Sequence, residues 1–442
     1  MRLPATLLVG AALLSGCPDR EIAEVKPSQD KVETKDIPVT LNRNVDIVFV
    51  VDDSGSMKEE QDSLASNFPK FIDRLSSLQG GLPSVHIGVV STDVGTGTTK
   101  IDSCDNLGDN GGMLTNSCAG LNAGAKYIED VDDGNMGRTR NYSGNLPQLF
   151  ACMAKLGTGG CGAEQPLESM RLALDPTGNK NPGFLRNDAF LAVVIISDED
   201  DCSTRDRAIW NRDLTVGRSL YQCTEYGISC NEPDLIAFGA KTGCKPQAPS
   251  PAMFEVGEYV DFLKKLKGDK QLIIASITGD PSPVSVRDDG TGDPQLAPSC
   301  NSAFGNATPA VRTVSFTHAF SQNTNVRICD ANLQKALDEV AKTIVVAIGD
   351  PCIQSNLADN DPATPGVQAD CTVSDVVHPD TAQEVETKLP QCDASHSVKP
   401  CWSLITDATQ CALTPSKLKL SIDRGSTNVD PDTHVRAQCV TQ

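Results

Sequence analysis

Val45-Asp46-Ile47-Val48-Phe49-Val50-Val51-Asp52-Asp53-Ser54-Gly55-Ser56-Met57 is the stretch on which the fold turns. Apart from Asp46, its first seven residues are β-branched or aromatic. A near-continuous apolar run of that kind suits a strand buried on both faces of a parallel sheet. An Asp-x-Ser-x-Ser motif follows at once. After it Leu64, Phe68, Phe71, Ile72, Leu75 and Leu78 recur at three- and four-residue spacing, the stripe of a helix that lays one face on a sheet, with Pro69 as a potential kink. Strand, polar turn and helix in that order open an α/β unit, and open α/β sheets bind their ligands at the C-terminal ends of the strands.

The same alternation continues outward. Val85 to Val90, Ala189 to Ile196 and Leu272 to Ile277 read as three further strands. Helical patterns at 164–174, 254–266 and 331–346 separate or follow them, the last with Leu333, Leu337, Val340 and Ile344 on one face. The expected fold class is α/β: a doubly wound, mostly parallel, Rossmann-like sheet. Long inserts interrupt the pattern at about 95–145, 200–250 and 280–326. The first two are rich in Gly, Asp, Asn and Cys, and loops of such length are usually functional or cross-linked.

Near residue 350 the composition changes to short segments punctuated by six cysteines, at 352, 371, 392, 401, 411 and 439. With Lys417 to Ile422 alternating polar and apolar, residues 351–442 read as a small, disulfide-stapled, β-rich C-terminal module. Residues 44–350 form the main domain. Residues 17–43, polar and without apolar periodicity, read as a tether.

The N-terminus has the order of a secretory signal over residues 1–16: Arg2, an apolar stretch from Ala5 to Leu14, then Leu14-Ser15-Gly16-Cys17. It is too short to span a membrane. A cysteine directly after small residues resembles the lipobox of bacterial lipoproteins, and the resemblance implies lipidation at Cys17, membrane attachment through that lipid and an address in the cell envelope. Cysteine parity agrees: of 17 cysteines, an odd count for an oxidising compartment, removing Cys17 leaves an even number. None of the rest forms a Cys-x-x-Cys pair, so disulfides are the default. The sequence leaves their connectivity open, although Cys104 with Cys118 and Cys152 with Cys161 are close enough to staple local loops. The formal net charge of −20 offers no counterion-releasing basic surface and excludes nucleic acid as a partner.

The chemistry sits in Asp52-x-Ser54-x-Ser56. In a tight turn allowed by Gly55, the two hydroxyls can face one point while the Asp52 carboxylate beneath them anchors a bound water. All are hard oxygen donors, which suits Mg²⁺ first and Mn²⁺ or Ca²⁺ under other supply. Capping of the following helix is the plainer role for the two serines. The pattern resembles the metal-ion-dependent adhesion site of von Willebrand factor type A domains, and the likeness in element order covers about 44–350. That resemblance implies direct binding of the ion by Ser54 and Ser56 and a water-mediated role for Asp52. It also implies an Asp at the end of a later central strand, where Ile195-Ile196-Ser197-Asp198 offers Asp198. The family's Thr, in a loop before a helix, is the point of departure. Alignment on the helix puts Cys161 there, and the nearest hydroxyl is Thr158. Glu199, Asp200 and Asp201 add negative charge where the family has Gly.

Enzymatic readings fare worse. An aspartate-nucleophile phosphotransferase needs a second Asp where Ser54 stands, and no Gly-x-Ser-x-Gly elbow accompanies the five histidines. Acidic clusters such as Asp288-Asp289 lack the full calcium-loop spacing. The resemblance therefore implies a non-enzymatic envelope lipoprotein whose cation accepts a carboxylate from a protein ligand. The competing expectation is a disulfide-stabilised structural protein whose ion only braces loops.

Overall fold

The computed structural model describes residues 32–38 and 43–442, apart from 78–80, 99–100, 102–103, 105–106, 134–136, 211–213, 304, 331–332, 350, 362, 364–366, 380, 409–410, 412–413 and 426–432. Cys17 and the signal-like segment lie outside the described residues. The first described strand is β1 (Val32–Pro38). The apolar run that follows it is β2 (Asn44–Val51), the middle of a seven-stranded sheet. Parallel to β2 on either side run β3 (Ser84–Ser91) and, much later in the chain, β6 (Phe190–Ile196). Beyond β6 come Leu272–Thr278 and Asn323–Arg327, both parallel; beyond β3 come β4 (Ile128–Asp132), antiparallel to β3, and β5 (Arg138–Arg140), antiparallel to β4.

Alternation along β2 explains the layers. Val45, Ile47, Phe49 and Val51 point to one face, packed with Leu64, Phe68 and Phe71 of α1 (Lys58–Ser76), Phe150 of α2 (Leu146–Ala154) and Leu337 and Val340 of α7 (Leu333–Ala347). Val48 and Val50 point to the other, against Leu167 and Met170 of α3 (Pro166–Leu174), Leu263 of α5 (Val256–Lys267) and Phe316 of α6 (Val311–Thr317). Both faces are covered, as a parallel sheet requires. Pro69 lies inside α1 without ending it.

The described residues hold seven α-helices, three more than the periodicity predicts. Two of the extra helices, α2 and α6, are only nine and seven residues long, too short for a periodic stripe to emerge. The third, α4 (Val216–Gly227), lies within the second insert, and its N-terminus is capped by the Thr215 hydroxyl. The first insert likewise carries β4 and β5 rather than loop alone. Among the described residues no helix is long and apolar enough to cross a membrane.

Disulfides organise the inserts and fix the connectivity that the sequence leaves open. Cys104 pairs with Cys161 and Cys118 with Cys152, rather than each with its nearer neighbour in sequence. Proximity misleads here because β4, β5 and α2 fold between these cysteines and bring distant segments together. Cys202–Cys223, Cys230–Cys244 and Cys300–Cys329 complete the main domain. Cys352–Cys411, Cys371–Cys439 and Cys392–Cys401 close within the C-terminal region. Among the described residues no bridge crosses residue 350.

The C-terminal region is β-rich, with one addition from far upstream. Thr433–Val440 lies between Cys371–Val377 and β1, and Val385–Leu389 completes the four-stranded antiparallel sheet. The tether reading therefore fails for residues 32–38. The apolar members of that strand are few and do not alternate, yet Ile37 packs with Val373, Trp402 and Val435. The alternating segment at 417–422 is the strand Leu418–Asp423, paired with Cys401–Thr406.

Candidate metal centre

β2 delivers Asp52 to the C-terminal edge of the sheet, and β6 delivers Ser197 and Asp198 beside it. The edge is stitched by the Asp52 amide donating to the Ile196 carbonyl at 2.9 Å. From β2 the chain crosses toward β3, whereas from β6 it crosses the opposite way to Leu272–Thr278. The two aspartates therefore lie at the crevice where the winding reverses.

Three of the five expected ligands, Ser54, Ser56 and Asp198, converge, with a fourth, Asp52, behind them. The Ser54 and Ser56 hydroxyls lie 2.9 Å apart. Ser56 also donates to Asp198 Oδ1 at 3.2 Å. Asp52 sits beneath, fully buried, its Oδ1 accepting from the Ser54 amide at 2.8 Å and its Oδ2 from the Ser197 hydroxyl at 2.6 Å. Gln61 on α1 donates to the Asp52 carbonyl at 2.7 Å and fixes the turn from behind. Neither serine caps the helix: Ser54 precedes a single 3₁₀ turn, Gly55–Met57, without a side-chain cap bond, and α1 starts after Met57. Gly55 and Ser56 are exposed, so the hydroxyl face is open to solvent.

Thr158 is not part of this convergence. It is exposed in the loop between α2 and α3, and no hydrogen bond joins it to Asp52, Ser54, Ser56 or Asp198. Cys161, at the aligned position, is buried and bonded to Cys104. The loop instead brings Gly160 and Glu164 to the centre. The Gly160 amide donates to the Asp53 carbonyl at 2.7 Å, and a Cβ on Gly160 would fall 2.2 Å from the Asp53 carboxylate. Glu164 is 1% exposed, accepts from the Thr92 hydroxyl through Oε2, and has an Oε1 with no hydrogen-bond partner. Nothing in the sequence marks it, because a Glu just before a helix-opening Pro reads as ordinary N-terminal acid.

The electrostatics are one-sided. Burial, with the charges of Asp52, Glu199 and Glu60, pushes Asp198 up to about 9. Burial and Asp52 push Glu199 to about 8. Asp53 rises to about 7 through burial and then Asp52, Asp93 and Asp109; Glu60 also rises to about 7, chiefly through burial. Glu164 is raised well above the carboxylate range by burial, Asp52 and Glu199. Burial likewise raises Asp52, against hydrogen bonds from Ser197 and Ser54. Among the described residues no Lys, Arg or His pairs with any of the six.

The neighbouring acids are otherwise engaged. Asp201 pairs with the buried Arg312 at 2.8 Å, and Asp200 accepts from the amides of Arg312 and Thr313 at the start of α6, at 2.9 and 3.0 Å. Of the acidic run after Asp198, only Glu199 turns toward the centre. Beside it opens a cavity of ≈ 210 Å³ walled by Glu164, Glu199, Leu220, Tyr221, Leu296 and Pro309.

The donor set of two hydroxyls and several carboxylates, with buried oxygens unsatisfied at Asp53, Glu60 and Glu164, fits a hard divalent cation. Cys392, His396 and Cys401 form a second group of metal-ligating types, with ligand atoms within 4.8 Å of one another. Their two sulfurs are bonded to each other, however, and His396 Nδ1 lies 2.7 Å from Asp423 Oδ2. That group offers no thiolate unless reduced.

No family model matches the sequence, and no curated protein does. Among solved structures, the chain is similar to the von Willebrand factor domain of the type V pili tip protein Mfa5 of Porphyromonas gingivalis. The identity is 13%, over 72% of this chain and 98% of that one, with a TM-score of 0.32. It is also similar to the pilus adhesin SpaC of Lactobacillus rhamnosus GG at 12% identity, over 94% of this chain and 42% of that one, TM-score 0.32. The Streptococcus pneumoniae pilus adhesin RrgA gives 11%, over 95% and 60%, TM-score 0.31. The chain thus spans less than two thirds of the length of either pilus adhesin.

Proposed function

We propose that this chain is an envelope lipoprotein, anchored through Cys17, that holds a divalent cation at an adhesion-type centre of the von Willebrand factor type A kind. Through that cation it binds a carboxylate of a protein ligand. Ser54 and Ser56 bind the ion directly, Asp52 and Asp198 hold it from below, and the exposed side keeps a coordination position for the partner's oxygen. The reading is non-enzymatic.

One observation carries it. A buried carboxylate cluster at the switch point of the sheet pairs with no basic residue among the described residues, while the Ser54 and Ser56 hydroxyls converge beside it, Ser56 on the exposed side. Buried charges are normally paired or bound to metal. The exposure of Ser56 favours an ion that meets a ligand over one that only braces loops.

Calorimetric titration with Mg²⁺, Ca²⁺ and Mn²⁺ tests the cation. Saturable binding to the wild type, absent in Asp52→Ala with the fold intact by circular dichroism, is the expected result. No heat with any of the three ions ends the reading. The ligand half is tested by capture of surface proteins that is lost in EDTA and in Asp52→Ala.

A further inference from the structure

We propose that Glu164, in the loop where the resembled domain carries a neutral hydroxyl, is itself a carboxylate ligand of the cation, and that this makes the centre select Ca²⁺ over Mg²⁺. The inference rests on the cation reading above and deepens it.

The placement of Glu164 is fixed rather than incidental. Its carbonyl accepts from the Cys202 amide at 2.7 Å, and the next amide, of Gln165, donates to the Thr92 carbonyl at 3.0 Å. The segment is thereby tied to the end of β3 on one side and to the β6 loop on the other. Within it, the side chain is 1% exposed and held at Oε2 by Thr92. The carboxyl is within hydrogen-bonding reach of that of Asp52, and apart from that acid its Oε1 is buried with no partner. A water-excluded carboxylate oxygen that faces only another acid is expensive unless a positive charge completes it. The fold supplies a base, Arg312, for Asp201 in the neighbouring β6 loop, yet none among the described residues for Glu164. Thr158, whose hydroxyl the family pattern calls for, is exposed in the preceding loop.

Ion preference follows from the donor count. Mg²⁺ demands a near-ideal octahedron, keeps several waters and is usually held by one or two carboxylates. Ca²⁺ accepts six to eight oxygens, including several carboxylates in mono- or bidentate contact. Asp52, Asp198 and Glu164 offer three carboxylates beside the hydroxyls of Ser54 and Ser56. That set is crowded for magnesium and ordinary for calcium.

The test is calorimetric titration of the full chain with CaCl₂ and MgCl₂ for wild type, Glu164→Gln and Glu164→Thr, together with the melting temperature of each in EDTA. The expected result is a wild type that binds Ca²⁺ at least about tenfold more tightly than Mg²⁺, with the gap closing in both variants. In EDTA, Glu164→Gln should melt no lower than wild type, because the neutral amide keeps the side chain's shape and removes its repulsion with Asp52. A wild type without calcium preference, or variants that keep the wild-type gap, overturns the proposal while leaving a cation site in place. A wild type that binds neither ion overturns both this proposal and the reading beneath it. If the variants do not fold, the wild-type selectivity alone still decides.

Discussion

The two ends of β2 solve the same problem in opposite ways. At its start Asp46 is fully buried and meets Arg186, which donates through Nε to Oδ1 and through its backbone amide to Oδ2, both at 2.7 Å. At its finish Asp52 is equally buried and meets other carboxylates. A third buried acid, Asp201, has its own guanidinium in Arg312. The chain thus neutralises buried acids where their role is structural. It omits the counter-charge at the C-terminal strand ends, where α/β sheets bind ligands, and there the missing charge is expected to come from outside.

The largest effect should come from breaking an internal pair. Arg312 is 1% exposed and also donates to the carbonyls of Asp201 and Phe254 at 3.1 and 2.9 Å. Arg312→Ala leaves Asp201 uncompensated and is expected to cost about 3–5 kcal/mol, read as a lowered denaturant midpoint at unchanged slope. Asp52→Asn in EDTA should instead be neutral or stabilising, since it removes one charge from a repelling group. If both substitutions destabilise equally, the paired and the unpaired buried acids do not differ in kind and the comparison fails.

Next comes the added cation. An ion that binds only the folded state, at a hundredfold its dissociation constant, stabilises by about 2.7 kcal/mol. The wild type should show a rise in melting temperature on that scale when EDTA is replaced by saturating divalent cation. Asp52→Asn and Asp198→Asn should show little or none. A rise that survives in both variants would place the ion elsewhere.

A smaller effect follows pH. The carboxyls of Asp198 and Glu199 stand at about 9 and about 8 in the folded chain, raised by burial and neighbouring charge, against about 4 in an unfolded one. Folded values above unfolded ones contribute stability that is complete below about pH 4 and lost as pH rises through the folded values. In EDTA the melting temperature should therefore fall between pH 5 and pH 9. Cation ligands must be deprotonated, so affinity grows over the same interval and saturating ion should flatten the fall. Melting curves at pH 5, 7 and 9, with and without cation, check both halves.

Much of this was legible before any coordinates. The apolar run at 45–51 carried the buried strand because burial on both faces leaves few polar positions, and Asp52-x-Ser54-x-Ser56 with Ser197-Asp198 marked the two strand ends. Cysteine parity on either side of residue 350 anticipated bridges that stay within each part. Hidden were features set by tertiary contact. Residues 32–38 pair with a strand some four hundred residues later. Cys104 and Cys118 choose partners brought near by intervening elements. Glu164 counts only because Thr92, Asp52 and Cys202 surround it. No local pattern encodes such company.

Thr158 should give the smallest effect, and it sharpens the comparison most. Its hydroxyl is the nearest in sequence to the place the family pattern prescribes, yet it is exposed, while the neighbouring chain from Gly160 to Glu164 closes on Asp53 and Asp52. A side chain that touches neither the ion nor a buried partner contributes within about ±0.5 kcal/mol to stability, and nothing ties it to the donors that set affinity. Thr158→Ala should therefore leave cation affinity within about twofold of wild type, since 0.5 kcal/mol corresponds to little more than a factor of two. Isothermal titration of this variant beside Ser54→Ala separates the possibilities: a loss in Thr158→Ala as large as in Ser54→Ala would mean that the loop refolds onto the ion when it binds.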